Sequence, residues 1–439
     1  MKLRRVVTVF LQEPEGSRIL LGRRSKKVRT YPEHWAGVSG SIEDGPLRQA
    51  YIELEEETGL SRKQLTRLGT GRRVRTTDWE MGTLWIIHPF LFRCEKTEVL
   101  RRNWEHTRFE WKEPGAIQGL TTVPSLWEAY VSAQDADQSD GLPSAKRIFQ
   151  QIEEDTSHGA EELGLWTLDA LLAHLNAIRA RDADERNLAE KFSGTCAKAL
   201  KLRPSMAPPI SAALEAFQAV KQAENTEEGH RAVESMTSRR EAAPLEAARR
   251  AAETIKANVT VVTLSYSSTV LATLHEAAQN IARLVVGESR PAFEGRRTAK
   301  LAASFGIPVT LATDAGAASL VKEADLVLLG ADALHEDGSA VNKTGSTALS
   351  ATAQFFDCHR LFIATESKIL PSGHQPEFEQ KAPSELGEPI QDVDASNLYF
   401  ERVPPELVEK ITAENGTLSS GRIGELAEQR KQLCDALRE

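Results

Sequence analysis

Residues 40–60 read Gly-Ser-Ile-Glu-Asp-Gly-Pro-Leu-Arg-Gln-Ala-Tyr-Ile-Glu-Leu-Glu-Glu-Glu-Thr-Gly-Leu. The spacing predicts a helix over residues 47–58. It places Glu53, Glu56 and Glu57 at i, i+3 and i+4, on one face. Like charges at that spacing repel. A solvated acidic face is the usual fate of such a run. A hard divalent cation, magnesium or manganese, would instead relieve the repulsion through oxygen ligands. Gly59 suits the position that ends a helix. Gly40, just ahead of the helix, is the candidate for close approach of a substrate to the backbone.

The chain has 439 residues, too many for one ordinary core, so two or three domains are expected. A hydrophobic content of 41% and a charged content of 27% are those of a globular protein. The net charge of −9 argues against a general nucleic-acid binder. Cys94, Cys196, Cys358 and Cys434 show neither metal-ligand nor redox spacing, which points to free thiols in a reducing compartment. The apolar run at residues 6–11 is too short for a signal-peptide core, and no stretch approaches a membrane span. A cytoplasmic protein is expected, with a nuclear one as the alternative.

Around the acidic helix, residues 4–12 and 18–22 read as strands joined at Gly16-Ser17. Residues 83–93 read as a buried strand broken near Pro89, and residues 109–111 as a shorter one. Residues 123–127 open a closing helix. The basic residues Arg23, Arg24, Lys26, Lys27 and Arg29 form either a solvated loop or a phosphate contact. Together these elements outline a small mixed α/β domain over residues 1–131.

This arrangement resembles the Nudix hydrolases, whose helix carries Arg-Glu-hydrophobic-x-Glu-Glu-x-Gly-hydrophobic. Glu53-Leu54-Glu55-Glu56-Glu57-Thr58-Gly59-Leu60 matches the second half of that pattern. Ile52 stands where the family has arginine, and only Glu43 and Asp44 lie near the place of its first glutamate. The resemblance implies an α/β/α sandwich. It also implies metal binding and catalysis by Glu53, Glu56 and Glu57, with a nucleoside diphosphate derivative as substrate.

Residues 132–144 are polar and turn-rich, and read as a linker. Residues 145–255 read as a helical bundle, with helices over 183–202, 210–222 and 242–257 and a break at Pro204, Pro208 and Pro209. From residue 256 to 439 strands and helices alternate. Strands are expected at 259–264, 283–286, 308–312, 325–329 and 361–364, and helices at 269–282, 296–305, 317–322 and 346–356. Such alternation implies a Rossmann-like parallel sheet that binds ligands beyond the carboxyl ends of its strands. Ser267 and Ser268 start a helix there, a ready anion site. Arg290 and Lys343 are suited to phosphate.

Residues 145–430 resemble the family that unites the alpha, beta and delta subunits of translation initiation factor 2B with sugar-phosphate isomerases. The likeness rests on His158-Gly159-Ala160, residues 203–208, Glu288-Ser289-Arg290-Pro291, Gly306-Ile307-Pro308, Gly330-Ala331-Asp332, Asn342-Lys343 and Val403-Pro404-Pro405. It implies a catalytic role for Asp332 and binding of a phosphorylated pentose or nucleotide through Arg290, Asn342 and Lys343. It also suggests a homodimer through the last domain. The isomerases' cysteine falls at about Tyr266, within Leu264-Ser265-Tyr266-Ser267, where no thiol stands. Two readings follow. One is a metal-dependent diphosphate hydrolase fused to a sugar-phosphate-binding domain. The other is a non-catalytic regulatory protein of the initiation-factor branch.

Overall fold

The computed structural model of the protein describes residues 1–95, 100–136, 144–155, 157–181, 188–376, 378, 380–388 and 390–438. The chain divides into two compact units, residues 2–151 and residues 152–439.

The first unit is built on an eight-stranded mixed sheet. Its elements are β1 (Lys2–Gln12), β2 (Ile19–Arg24), β3 (Trp35–Ala36), β4 (Val38–Ser41), α1 (Pro46–Thr58), β5 (Leu65–Thr70), β6 (Val74–Asp78), β7 (Thr83–Cys94), β8 (His106–Lys112) and α2 (Leu126–Gln134). β1 is central, parallel to β7 and antiparallel to β2 and β4. Side chains alternate across a strand. Val7, Val9 and Leu11 therefore pack with Ala50 and Leu54 of α1, while Phe10 packs with Ala129 and Tyr130 of α2. One helix lies on each face of the sheet.

β7 is continuous through Pro89, where the sequence predicted a break. On the side of β5 and β6, the β6 register ends at Ile87 and the β5 register begins at Phe90. Pro89 falls in the gap between these two partners, where that side of the strand has no ladder for a missing N–H to interrupt. The expected linker also changes, because residues 132–134 belong to α2 and residues 137–143 lie outside the described ones. Helix α3 (Ala145–Glu154) follows, and the boundary between the units falls within it.

The second unit opens with α4 (Ala160–Arg181), α5 (Leu188–Ala199), α6 (Ala207–Gln222) and α7 (Thr226–Glu253). Pro208 and Pro209 do not break a helix. They start α6, where the first turn needs no N–H donors. α7 begins 16 residues before the expected position 242, because its first half is polar and shows little apolar periodicity. Of the helix expected at 183–202, residues 182–187 lie outside the described residues.

A seven-stranded sheet follows, in the order β11-β10-β9-β12-β15-β17-β18. Its elements and their neighbours are β9 (Val259–Leu264), α8 (Ser268–Glu276), β10 (Ile281–Gly287), α9 (Glu294–Ser304), β11 (Val309–Ala312), α10 (Asp314–Leu320), β12 (Leu326–Gly330), β13 (Ala333–Leu334), β14 (Ala340–Lys343), α11 (Ser346–Phe355), β15 (His359–Ile363), β16 (Phe400–Val403), β17 (Lys410–Ala413), β18 (Gly416–Leu418) and α12 (Ser420–Ala436). All pairings are parallel except β17 with β18. β13, β14 and β16 form a small antiparallel sheet. The helix expected at 269–282 is shorter, since β10 already begins at Ile281. One face of the main sheet packs on α7, α8 and α9 through Ala251, Leu274 and Ala302. The other packs on α10, α11 and α12 through Ala317, Leu349 and Ile423. The chain order reverses between β9 and β12, which makes the crevice beyond their carboxyl ends the natural ligand site.

An ionic triad of two buried arginines and a partly exposed glutamate ties this unit together. Glu215 of α6 pairs with Arg240 of α7 at 2.8 Å and with Arg430 of α12 at 2.7 Å. Arg430 also donates to the Ile369 carbonyl, and Arg240 to Ser211 Oγ at 2.8 Å. Burial alone would raise the Glu215 pKa, but the two guanidiniums hold it below the usual range. Glu215→Ala leaves two buried cations without their counter-charge. It is expected to destabilise this unit by about 3–5 kcal/mol, measured by chemical denaturation. Replacing all three residues by apolar side chains of similar volume is expected to cost far less.

Candidate functional site

The acidic helix is framed by two left-handed glycines. Gly45 at φ 77° enters α1, and Gly59 at φ 74° ends it with its N–H on the Glu55 carbonyl. The three glutamates do not share one environment. Glu56 is exposed, Glu53 is half-buried, and Glu57 is 1% exposed. Position i+4 turns further toward the sheet than i+3, and Glu57 follows the buried Leu54 inward. Its Oε1 accepts the Ser39 N–H at 3.1 Å, and its Oε2 lies 2.5 Å from His106 Nε2. Gly22 makes this possible, since a Cβ there would overlap the His106 ring.

Glu53 sits over Gly40, where any Cβ would overlap its carboxylate. The Glu53 pKa is pushed up to about 7. Burial is the main cause, the Gln49 hydrogen bond of 2.8 Å opposes it, and the charges of Glu57, Glu56 and Glu105 add to it. Glu105 was missed from sequence, although it directly precedes His106. Burial and the Glu57 charge raise its pKa too, with Arg24 and His106 opposing. Arg24 is the one member of the basic cluster turned inward. It donates to the Thr30 carbonyl at 3.1 Å, and burial lowers its pKa. Ile52, at the arginine position of the resemblance, is 36% exposed.

Four neighbouring carboxylates, two of them (Glu53 and Glu105) with raised pKa values, are the donor chemistry of a hard divalent cation. Glu57 is already engaged by Ser39 and His106. Glu53, Glu56 and Glu105 remain to hold an ion. As their side chains stand, no three His, Cys, Asp or Glu among the described residues converge on one point.

In the second unit, five strand ends carry polar side chains. Ser265 follows β9 at φ 62°. Its N–H is accepted by Ser289 Oγ at 2.6 Å, and its Oγ donates to Glu294 Oε2 at 3.1 Å. Glu294 also pairs with Lys343 at 2.8 Å. Asp314 fixes the loop after β10, accepting the N–H groups of Ser289 at 2.7 Å and Arg290 at 2.9 Å. Burial raises the Asp332 pKa, Lys368 and Lys343 oppose it, and Glu294 and Glu161 add to it. The structure thus brings together Asp332, Lys343, Ser265 and Glu294. Glu294 and Glu161 were missed from sequence, while Lys368 belongs to the polar strand end Glu366-Ser367-Lys368.

The other expected residues are placed differently. Ser267 caps α8 by accepting the Val270 N–H, and Ser268 is its first residue. Asn342 is buried and donates to Ser346 Oγ at 2.9 Å, so its amide supports the turn into α11. The Arg290 guanidinium lies over Phe293 and donates to the Leu386 carbonyl at 3.3 Å. Tyr266 is covered by Arg297, 4.0 Å from its ring centre. Ser265 of this turn bonds into the charged cluster.

Because its folded pKa lies above the ordinary 4.5, Glu53 stabilises the fold below about pH 4.5 and loses that contribution as pH rises to about 7. Glu53→Gln is therefore expected to raise the melting temperature at pH 8 relative to the parent, with the gap closing below pH 5. Scanning fluorimetry across that range measures it.

Comparison with known proteins agrees with the two-part architecture. Residues 2–130 match the NUDIX domain, and residues 156–420 match the Initiation factor 2 subunit family. Ribose 1,5-bisphosphate isomerase of Thermococcus kodakarensis is 32% identical over 158 residues, 34% of this chain and 49% of that protein. Methylthioribose-1-phosphate isomerase of Ectopseudomonas mendocina is 36% identical over 144 residues, 30% of this chain and 40% of that protein. The chain spans about half the length of the curated relatives it matches, or less. The crystal structure of the Pyrococcus horikoshii OT3 translation initiation factor eIF-2B superposes with a TM-score of 0.52 at 23% identity, covering 62% of this chain and 96% of that one. At that identity the likeness speaks for the fold. The chain belongs to the initiation factor 2 subunit family and carries a NUDIX domain ahead of the family region.

Proposed function

We propose that the first unit hydrolyses a nucleoside diphosphate derivative with the help of magnesium or manganese, and that the second binds a phosphorylated pentose or nucleotide. The observation that carries the hydrolase reading is the Glu53 carboxylate, seated over Gly40 with a pKa of about 7 among three further glutamates. A bound divalent ion would polarise the diphosphate and acidify a water. Glu53, Glu56 and Glu105 would hold it. A neighbouring carboxylate left uncoordinated would accept the proton that the attacking water loses. Water adds to one phosphorus, the bond from that phosphorus to the bridging oxygen breaks, and the second phosphate group departs. Glu57 acts as a positioning residue, since its contacts with His106 and Ser39 fix the inner face of α1.

The fusion suggests a chemical link between the units. Cleaving the diphosphate of ADP-ribose yields AMP and ribose 5-phosphate, a relative of the sugar phosphates named for the relatives of the second unit. There, Asp332 and Lys343 form the centre of the proposed sugar-phosphate site, with Arg290 at its edge and Ser267, Ser268 and Asn342 shaping its turns. Cytoplasmic residence and a homodimer through this unit accompany this reading.

A second reading, a non-catalytic regulatory protein, is favoured by one observation. The turn after β9 holds Ser265 and Tyr266, and the four thiols lie elsewhere, three of them buried. A serine hydroxyl has no ionisation near neutrality to offer in place of a thiol.

The full chain with magnesium is expected to release a nucleoside monophosphate from ADP-ribose or a related diphosphate, and Glu56→Gln to lower kcat/KM by about 100-fold or more. No turnover across a broad diphosphate panel, or equal rates for both proteins, would sink the hydrolase reading and leave the regulatory one.

A further inference from the structure

The strand-end cluster of the second unit is met by one long loop, residues 380–399. Its base is a closed neck. Gln380 and Leu398 form an antiparallel bridge, and the Lys381 N–H donates to the Asn397 carbonyl at 2.9 Å. The buried Asn397 amide donates to the Ala382 carbonyl at 3.0 Å and to Glu385 Oε2 at 2.8 Å. Thr344, which follows β14, fixes the far side of the neck. Its N–H donates to the Tyr399 carbonyl at 2.9 Å and its Oγ1 to the Leu398 carbonyl at 2.7 Å. Beyond the neck every described residue from 382 to 396 is exposed, Ile390 by 70% and Val393 by 59%. A loop that buries so little apolar surface owes its position to a few polar contacts.

Those contacts fall on the two cations that the sugar-phosphate reading assigns to phosphate. The Leu386 carbonyl accepts from the Arg290 guanidinium at 3.3 Å. The Tyr399 ring covers the buried Lys343, with Nζ 4.1 Å from the ring centre, and Phe400 adds a second ring at 5.3 Å. The Tyr399 hydroxyl donates to Glu385 Oε2 at 2.7 Å. The hydrogen bonds from Tyr399 and Asn397 hold the Glu385 pKa below the usual range, and the charges of Lys381 and Lys343 add to them. Residues 382–396 carry Glu385, Glu388, Asp392 and Asp394 and neither lysine nor arginine. The loop thus offers Arg290 an oxygen and Lys343 a nearby negative charge, the two things a phosphate would supply. A loop of that sign meets like-charge repulsion if it closes over a phosphate, so the two compete for the same cations.

We propose that residues 380–399 form an autoinhibitory strap, which occupies Arg290 and covers Lys343 until the phosphate group of a sugar phosphate displaces it. Its role rests on the sugar-phosphate reading of this unit. The strap sets a threshold. A ligand must bring enough negative charge to outcompete a carbonyl and an exposed carboxylate, so a phosphorylated sugar is admitted and its unphosphorylated counterpart is not.

The test measures binding of ribose 5-phosphate to the full chain by calorimetry, with ribose as the uncharged control. Neutralising the strap by Glu385→Gln, Glu388→Gln, Asp392→Asn and Asp394→Asn together is expected to tighten ribose 5-phosphate binding by about fivefold or more. Glu385→Gln alone should tighten it by about twofold, and this milder variant keeps the test valid if the quadruple one unfolds. Adding Arg290→Gln should erase the gain. Binding by the strap variants but not by the parent would support the strap in its tightest form. Unchanged affinity in both strap variants, a gain that survives Arg290→Gln, or equal binding of ribose would overturn the strap and leave a ligand site without a gate. No binding by any of these proteins would sink the sugar-phosphate reading and the strap with it. Hydrogen exchange across residues 380–399 gives the direction of movement. Faster exchange with ribose 5-phosphate bound supports displacement, while slower exchange, the sign of a lid closing on the ligand, would overturn it.

Discussion

A buried carboxylate needs partners, and Glu57 shows how much of the first unit is arranged around that requirement. It is held by the Ser39 N–H of β4 and the His106 ring of β8, strands that flank β1 and β2. Gly22 leaves the space for that ring, and Gly40 leaves the space for Glu53 one turn earlier on the same helix. With α1 locked in this way, Glu53 is forced into a half-buried position against three like charges. Its raised pKa is a consequence of the packing, as burial ranks ahead of the charges among its causes.

The second unit obeys the same rule with opposite emphasis. Glu215, a third exposed, bridges the buried Arg240 and Arg430, and this triad joins α6, α7 and α12 with no part in the strand-end cluster. The cluster itself is a chain of charges, Asp332 with Lys343 and Lys368, and Lys343 with Glu294, at the point where the strand order reverses. A parallel sheet directs its polar strand ends to one side, so five short loops distant in sequence become neighbours. The two units therefore present comparable devices, one made by a single helix face and the other by topology.

Much of this was legible in the residues. The acidic helix, the alternation of strands and helices after residue 256, and the polar endings of those strands follow from local periodicity and turn chemistry. Other features depended on context. Pro89 looked like a strand break until the gap between β5 and β6 showed that its missing donor is not needed there. The polar first half of α7 hid a helix that tertiary contacts stabilise, because periodicity detects only an apolar stripe. Glu105 and Glu294 carry no motif, and they matter because other elements bring charges to them.

Local pattern alone places Glu53, Glu56 and Glu57 within two turns of one helix, with glycines before and after them. Helical periodicity is local, so those facts need no fold. That Glu57 faces inward to His106 and that Glu53 rests over Gly40 follow from how distant strands pack against the helix. The burial and charge that set each carboxylate's character come from strands up to 50 residues away in the chain, and no local pattern encodes those distances.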